Sequence, residues 1–283
     1  MIEAIVLGAG AGGGFPQWNS NTVACRRARA GDPAAPSCTQ ASIAVSGNGT
    51  GWLVLNASPD LRIQIERTPA LHPRDGLRST PIAGVVLTGG EVDCIAGLLT
   101  LREGQHFQLL ATAPVLARLD QNPIFEVVSR TLVPRVALPL EASMLLSGTA
   151  LSVTAFAVRG KVPLYAEAGS PDGPPPSDDD TIGLEISDGT RRLLFIPGCA
   201  AMTPALRARL DGADCVFFDA TLWRDDEMIT AGLGVKTGAR MGHMSIAGPG
   251  GVLDSFDGVR VGQKILIHMN NSNPVLLRDS VER

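Results

Sequence analysis

Short runs of β-branched and large apolar residues, closed off by glycine, proline and small polar residues, set the rhythm of this chain. They fall at 2–7 (IEAIVL), 42–46 (SIAVS), 52–56 (WLVLN), 84–88 (GVVLT), 107–111 (FQLLA), 151–158 (LSVTAFAV), 181–187 (TIGLEIS), 192–196 (RLLFI), 215–219 (CVFFD) and 264–268 (KILIH), each of strand length. Helical spacing is scarcer. It is clearest in PDLRIQIER after Pro59, in DCIAGLLTLRE with Asp93 near its start, in APVLARLDQ, in TPALRARLDG entered through Thr203-Pro204, and in a short amphipathic piece at 249–256. Both halves run through several strands and then a helix. That order predicts an α/β fold of two mixed sheets packed face to face with helices outside, rather than one doubly wound sheet. The stretch AEAGSPDGPPPSDDDT at 166–181 is expected to be an exposed loop, and with no repeat or composition break the whole of 1–283 reads as a single domain.

Composition narrows the classes of function. With 283 residues, 45% of them hydrophobic, the chain can fill a substantial core. A net charge of −4, with basic residues clustered only in pairs such as Arg26-Arg27 and Arg191-Arg192, gives no surface for tracking phosphates, so nucleic acid is excluded as a partner. The N-terminus has no basic lead and only a six-residue apolar run, and no 18-residue apolar window follows. The expectation is therefore a soluble, cytoplasmic protein with no membrane insertion. Five cysteines, at 25, 38, 94, 199 and 215, are odd in number and scattered, which predicts reduced thiols rather than a disulfide scaffold. A chain of this size and apolar content is compatible with a homodimer.

Four stretches could carry chemistry. In VLGAGAGGGFPQW, Gly8, Gly10 and Gly13 have the G-x-G-x-x-G spacing of a pyrophosphate cradle, but FPQWN follows where a helix should begin. A tight loop that brings backbone close to a cleft is the better reading. In VVLTGGEVDCIAGLL, Glu91, Asp93 and Cys94 follow a strand end at Thr88, at the carboxyl edge of a sheet where ligands gather. Either they bind a metal such as iron or zinc, or Asp93 caps a helix, Glu91 is solvated and Cys94 is a small buried hydrophobe. Asp219 and His268 each end an apolar strand; either is structural taken singly, yet with Asp93 they would make a metal's inner ligands. Finally, GVKTGARMGHMS is a glycine-rich loop whose Lys236 and Arg240 could meet substrate carboxylates, or be solvated.

The turn LTGGEVDCIAGLLTLREGQ resembles the metal-binding turn T-H-x-H-x-D-H-x-x-G of the metallo-β-lactamase superfamily, with Thr88, Asp93 and Gly97 in place. More narrowly, GAGAGGGFPQWN, SIAVS, LNASPDLR, GLLTLREGQ, GKVPLY, the KTG-x-RMGH stretch and NNSNPVL occur in the order of the pyrroloquinoline quinone biosynthesis protein B family, over nearly the whole chain. The resemblance implies the αβ/βα sandwich of that superfamily and a cleft where strand ends meet. It implies a non-heme iron- and oxygen-dependent hydroxylation of a tyrosine-type ring in a small peptide-derived quinone precursor; an older reading of the family is a carrier aiding quinone transport. Asp93, Asp219 and His268 match its metal positions, with Cys94 where the family has His, and Glu91 matches a carboxylate there.

Relative to the superfamily turn, Gly89, Glu91 and Cys94 replace all three histidines, and Lys161 stands at a further histidine station, so dinuclear zinc hydrolysis is not expected. The family's C-x-C-x-x-C clasp is reduced to Ser20, Thr22 and Cys25, with His243 retained as the fourth station. Hydroxyls are poor zinc ligands, so this remnant is expected to hold no structural zinc. The resemblance also carries the expectation that a last short helix and strand of the family is missing after Arg283. The expectation is then iron(II), with zinc as the alternative, on Asp93, Cys94, Asp219 and His268. Glu91, Asp93 and Lys161 would take part in catalysis, and Arg102, Lys236, Arg240 and Asn270 would bind a substrate that reacts with molecular oxygen. Two rivals are a metal-poor binder of quinone or peptide, and a hydrolytic or thiol-using enzyme exploiting Cys94.

Overall fold

The computed structural model describes residues 1–161, 163, 165 and 179–283. Twelve strands among these residues form two six-stranded sheets. The first contains β1 (Glu3–Gly8), β2 (Ser42–Ser46), β3 (Trp52–Leu55), β4 (Ile82–Val86), β5 (Gln108–Ala111) and β6 (Arg135–Ala137), side by side in that order. The second runs β12 (Val261–Ile267), β11 (Ala213–Asp219), β10 (Arg192–Ile196), β9 (Ile182–Ser187), β8 (Leu151–Ala157) and β7 (Ser143–Leu146). Antiparallel pairs occupy one side of each sheet and parallel pairs the other: β3, β4, β5 and β6 are mutually parallel, as are β10, β11 and β12.

The burial follows from the sequence runs. In β2 and β3 every residue is buried, as befits strands covered on both faces. One face of each sheet meets the other: Ile43, Val45, Leu53, Leu55, Val86 and Leu110 pack against Leu151, Val153, Leu184, Ile186, Phe195 and Phe217. The outer face of the first sheet lies under α2 (Leu61–Glu66), α3 (Val92–Ile95) and α4 (Ala113–Asp120), with Val54, Val85 and Leu109 against Leu61, Ile95 and Val115. The second sheet is covered likewise by α5 (Pro204–Leu210) and α7 (Val252–Ser255), where Val216 and Phe218 meet Leu206, Leu210 and Phe256. Two further helices, α1 (Val23–Arg29) and α6 (Glu227–Thr230), lie outside these layers in the chain's long connections.

Some local expectations need correction. The helix expected through DCIAGLLTLRE is α-helical only over Val92–Ile95 and continues as a 3-10 helix over Ala96–Leu101. Gly97 explains the change: a Cβ there would lie 2.1 Å from the Ser58 carbonyl oxygen, so the segment is pressed onto the 57–58 backbone. The 249–256 piece is helical only from Val252, and β6, β7, α1 and α6 had no counterpart in the sequence reading. Of the expected loop at 166–181, residues 166–178 lie outside the described residues. No helix among the described residues is long and apolar enough to cross a membrane.

Candidate metal centre

The parallel strands of both sheets end on the same side of the sandwich, and their carboxyl ends carry the polar groups. After β4, Leu87 and Thr88 extend the strand, and Thr88 is fixed by Asn56. The Asn56 amide nitrogen donates to Thr88 Oγ1 at 2.9 Å and its carbonyl accepts from Thr88 N at 2.9 Å. Asn56 itself adopts a left-handed backbone, φ 64°. The chain then turns through Gly89 and Gly90 into α3, whose N-cap is Glu91 and whose first turn holds Asp93. Asp93 is thus not the cap. Its Oδ2 reaches across to Nε2 of His268 at 2.9 Å.

His268 is the first residue after β12 and also sits at positive φ, 66°. A histidine held there costs about 1–3 kcal/mol, which the surrounding contacts must offset. Its other ring nitrogen, Nδ1, is 2.8 Å from Thr221 Oγ1. Asp219, the last residue of β11, is wholly buried and spends both oxygens on this network. Oδ2 accepts from Cys199 N at 2.9 Å and lies 2.7 Å from His243 Nδ1. Oδ1 accepts from Thr221 N at 3.1 Å and from Thr221 Oγ1 at 2.7 Å. The imidazoles of His243 and His268 stack with centroids 5.2 Å apart. Among the described residues, Asp219, His243 and His268 form a group whose ligand atoms lie within 4.8 Å of one another, and Asp93 adjoins it through His268.

Electrostatics favour the charged forms of the Asp93–His268 pair. Burial alone would raise the Asp93 carboxyl, but the hydrogen bond and charge of His268 outweigh it and hold the carboxyl below its usual range. Burial alone would lower His268, and the hydrogen bond and charge of Asp93, with Asp219 and Glu91, instead hold the imidazole above its ordinary value. A cation in this cleft would meet the same carboxylates that draw a proton toward His268. The donors, imidazole with carboxylate, suit iron or zinc, so the residues present fit a transition metal.

The other expected residues fall in distinct places. The Cys94 thiol lies 4.0 Å from Thr88 Oγ1 and is pushed well above the usual thiol range by burial, then by Asp93 and Glu91. Glu91 Oε1 is buried without a hydrogen bond, 3.2 Å from Lys161 Nζ. Lys161 in turn packs on Gly242, beside His243. Arg102 is exposed, donating to Leu99 O at 2.9 Å and lying near Glu103. Lys236 and Arg240 are on the loop leading to His243, Arg240 exposed and Lys236 half-buried. Asn270 Nδ2 is engaged with Ser272 Oγ at 2.6 Å and Met228 Sδ at 3.0 Å.

His243 and Cys25, paired by the sequence as a zinc remnant, have different surroundings. Cys25 is fully buried, its Sγ 3.9 Å from Asn271 Oδ1, and Thr22 caps α1 by accepting from Cys25 N at 3.2 Å. His243 joins the Asp219 cluster instead. The glycine loop behaves as a close-packed connection: a Cβ on Gly8 would sit 2.3 Å from Gln40 O, and Gly12 faces Asp93 Oδ2. Thr221 went unnoticed in the sequence; the available signal was a hydroxyl two residues beyond an aspartate that ends an apolar strand.

Comparison with known proteins gives a consistent picture. Residues 51–269 match the β-lactamase superfamily domain. The chain is 66% identical to coenzyme PQQ synthesis protein B of Gluconacetobacter diazotrophicus, covering 100% of this chain and 94% of that protein. It is 55% identical to the protein of the same name from Xanthomonas euvesicatoria, over 97% of this chain and 91% of that one. The crystal structure of Zn(2+)-bound PqqB from Methylobacterium extorquens superposes with a TM-score of 0.95 at 47% identity, over all of this chain and 94% of that one. A diphosphatase of the PhnP family, at 16% identity and a TM-score of 0.67, shares the fold alone.

Proposed function

This chain belongs to the coenzyme PQQ synthesis protein B family, within the β-lactamase superfamily, and from that premise we propose that it is a metal-dependent enzyme of pyrroloquinoline quinone synthesis. Its reaction, on this reading, is hydroxylation of a tyrosine-type ring in a small peptide-derived precursor. The observation that carries the reading is the convergence of two imidazoles, His243 and His268, with two carboxylates, Asp93 and Asp219, in one cleft. Two histidines and one carboxylate on a common face are the ligand set of non-heme iron(II) oxygenases. Sequence alone supplied two carboxylates and one imidazole; His243 completes the set.

Iron(II) in this cleft would supply the one-electron chemistry that lets molecular oxygen react with an aromatic ring. One oxygen atom enters the ring, the other leaves as water, and a two-electron reductant balances the reaction. The protein's own contributions are positional. Asp93 and His268 present paired donors at the mouth, the burial of Asp219 keeps water from competing for its partners, and the Glu91–Lys161 pair borders the site. Glu91 Oε1, buried without a hydrogen bond, is placed to take up the ring proton that hydroxylation displaces, and Lys161, with Lys236 and Arg240 of the neighbouring loop, would meet substrate carboxylates.

Cys94 favours a second reading. A thiol held protonated by burial is a weak ligand, so a protein that binds the precursor or quinone without turning it over fits that one feature. The same protonation disfavours a thiol-nucleophile hydrolase. Protein loaded anaerobically with iron(II), then given oxygen, a reductant and a Glu-Tyr-type peptide, decides between catalysis and binding. Hydroxylation predicts oxygen uptake and a product one oxygen atom heavier; peptide binding without either overturns it.

A further inference from the structure

The hydroxyl of Thr221 occupies the centre of the cluster, 2.7 Å from Asp219 Oδ1, 2.8 Å from His268 Nδ1 and 3.0 Å from His243 Nδ1. A hydroxyl has one proton to give and two lone pairs to receive. Of its three neighbours the ionised carboxylate is the one that cannot donate, so the hydroxyl proton goes to Asp219. Both lone pairs then face ring nitrogens, and each of those nitrogens must carry a proton for the contact to be favourable. His243 Nδ1 is held to the same state by Asp219 Oδ2 at 2.7 Å.

We infer that Thr221 is a positioning residue that fixes the proton of both imidazoles on Nδ1 and so presents their Nε2 atoms as the metal-binding nitrogens. For His268 the consequence is specific, since its Nε2 lies 2.9 Å from Asp93 Oδ2 and the two atoms flank a place for one cation. Asp219 already accepts from Cys199 N, Thr221 N and Thr221 Oγ1 and adjoins His243 Nδ1, which fills the roughly four lone-pair sites of a carboxylate. It anchors the histidines from behind, in the manner by which carboxylates orient metal-bound imidazoles elsewhere. Asp93, at the open side, is the carboxylate that meets the ion. Thr221 is 5% exposed, so bulk water does not substitute for its hydroxyl.

The tautomer assignment stands on the hydrogen bonds alone, while its consequence for metal binding rests on the proposed function above. The test uses the full-length metal-free protein, labelled with nitrogen-15, and long-range proton–nitrogen spectra that distinguish Nδ1–H from Nε2–H imidazoles. Wild type is expected to show proton-bearing Nδ1 atoms at His243 and His268. Thr221→Val should lose the Nδ1 proton at His268, while His243 keeps its contact with Asp219, and should bind iron(II) or zinc(II) about 10- to 100-fold more weakly, the range found when a group orienting a metal ligand is removed. Thr221→Ser should restore both. An Nδ1 that carries no proton at either histidine in wild type overturns the assignment, whatever His268 Nε2 carries toward Asp93, and the wild-type spectrum decides it even if the valine variant fails to fold. An unchanged His268 pattern in a folded valine variant also overturns it. Protein that shows the Nδ1–H pattern yet retains no metal keeps Thr221's role and overturns the proposed function.

Discussion

Replacing Asp219 by Asn removes one charge and changes almost no volume, so its cost measures the hydrogen-bond network without a cavity contribution. The carboxylate lies 0% exposed and accepts on Oδ2 from a backbone N–H (Cys199) and on Oδ1 from another (Thr221). An asparagine presents one oxygen and one NH2. Whichever way it is turned, the NH2 faces one of these two backbone donors, and neither donor can rotate away. His243 can move its proton and the Thr221 hydroxyl can swing, so the unavoidable loss is one buried N–H without this acceptor, about 1–3 kcal/mol. The remaining bonds lose their ionic assistance, roughly a further 1–2 kcal/mol, since hydrogen bonds to charged groups run about 1.5–3 against about 1 for neutral ones. The sum is about 2–5 kcal/mol. At about 2–4 °C per kcal/mol for a large domain, Tm should fall by roughly 4–20 °C. The assay is thermal unfolding followed by far-ultraviolet circular dichroism in chelator, so that metal linkage does not contribute. A Tm within about 1 °C of wild type, or above it, would refute the reasoning, because Asp219 would then not be holding the donors that surround it.

Other consequences follow from the same geometry. The Cys94 thiol, kept protonated by burial and by Asp93 and Glu91, should be alkylated by iodoacetamide at pH 8 far more slowly in the native protein than after unfolding; equal rates by mass spectrometry would contradict this. In the metal-free protein the lowered Asp93 carboxyl stabilises the fold above its unfolded value and loses that effect as pH falls through the native one. The raised His268 imidazole stabilises the fold below its unfolded value and loses that effect as pH rises through the native one. The urea-unfolding difference between wild type and Asp93→Asn should therefore peak between about pH 4 and 6.5 and shrink on both sides; a difference independent of pH would sink the pairing. The Glu91–Lys161 pair is 33% and 27% exposed, so Lys161→Met should cost stability no more than about 1 kcal/mol while raising KM for a carboxylate-bearing substrate, and an unchanged KM removes Lys161 from substrate binding.

Much of this fold is written in its apolar runs. Strands with a continuous apolar stretch in the middle of a sheet, such as CVFFD or RLLFI, are where their burial demanded. The two strands without a counterpart in the sequence, Arg135–Ala137 and Ser143–Leu146, lie at sheet edges and leave most residues partly or fully exposed, so hydrophobic pattern does not announce them. Helix α1 was hidden for a different reason. It is entered through a Thr22 cap inside a polar stretch, and only Cys25 and Ala28 are buried. At the site, residues that end strands could be placed because parallel strands bring their carboxyl ends together, hence Asp219 and His268. His243 sits in a loop with no periodicity, so nothing in its neighbours fixes its position, and the family's clasp pointed to Cys25 instead. Thr221 becomes visible only when three side chains from different segments are seen to share one oxygen.

The most direct test of the account is anaerobic titration of the metal-free protein with iron(II), with stoichiometry and affinity measured for wild type, Asp93→Ala and His268→Ala. The account predicts about one equivalent bound by wild type and a loss of at least roughly 10-fold in affinity for each variant, since each removes a donor of the same ion. Stoichiometric iron binding that survives both substitutions unchanged would contradict it, because the ion would then be held somewhere other than the cleft where these strands end.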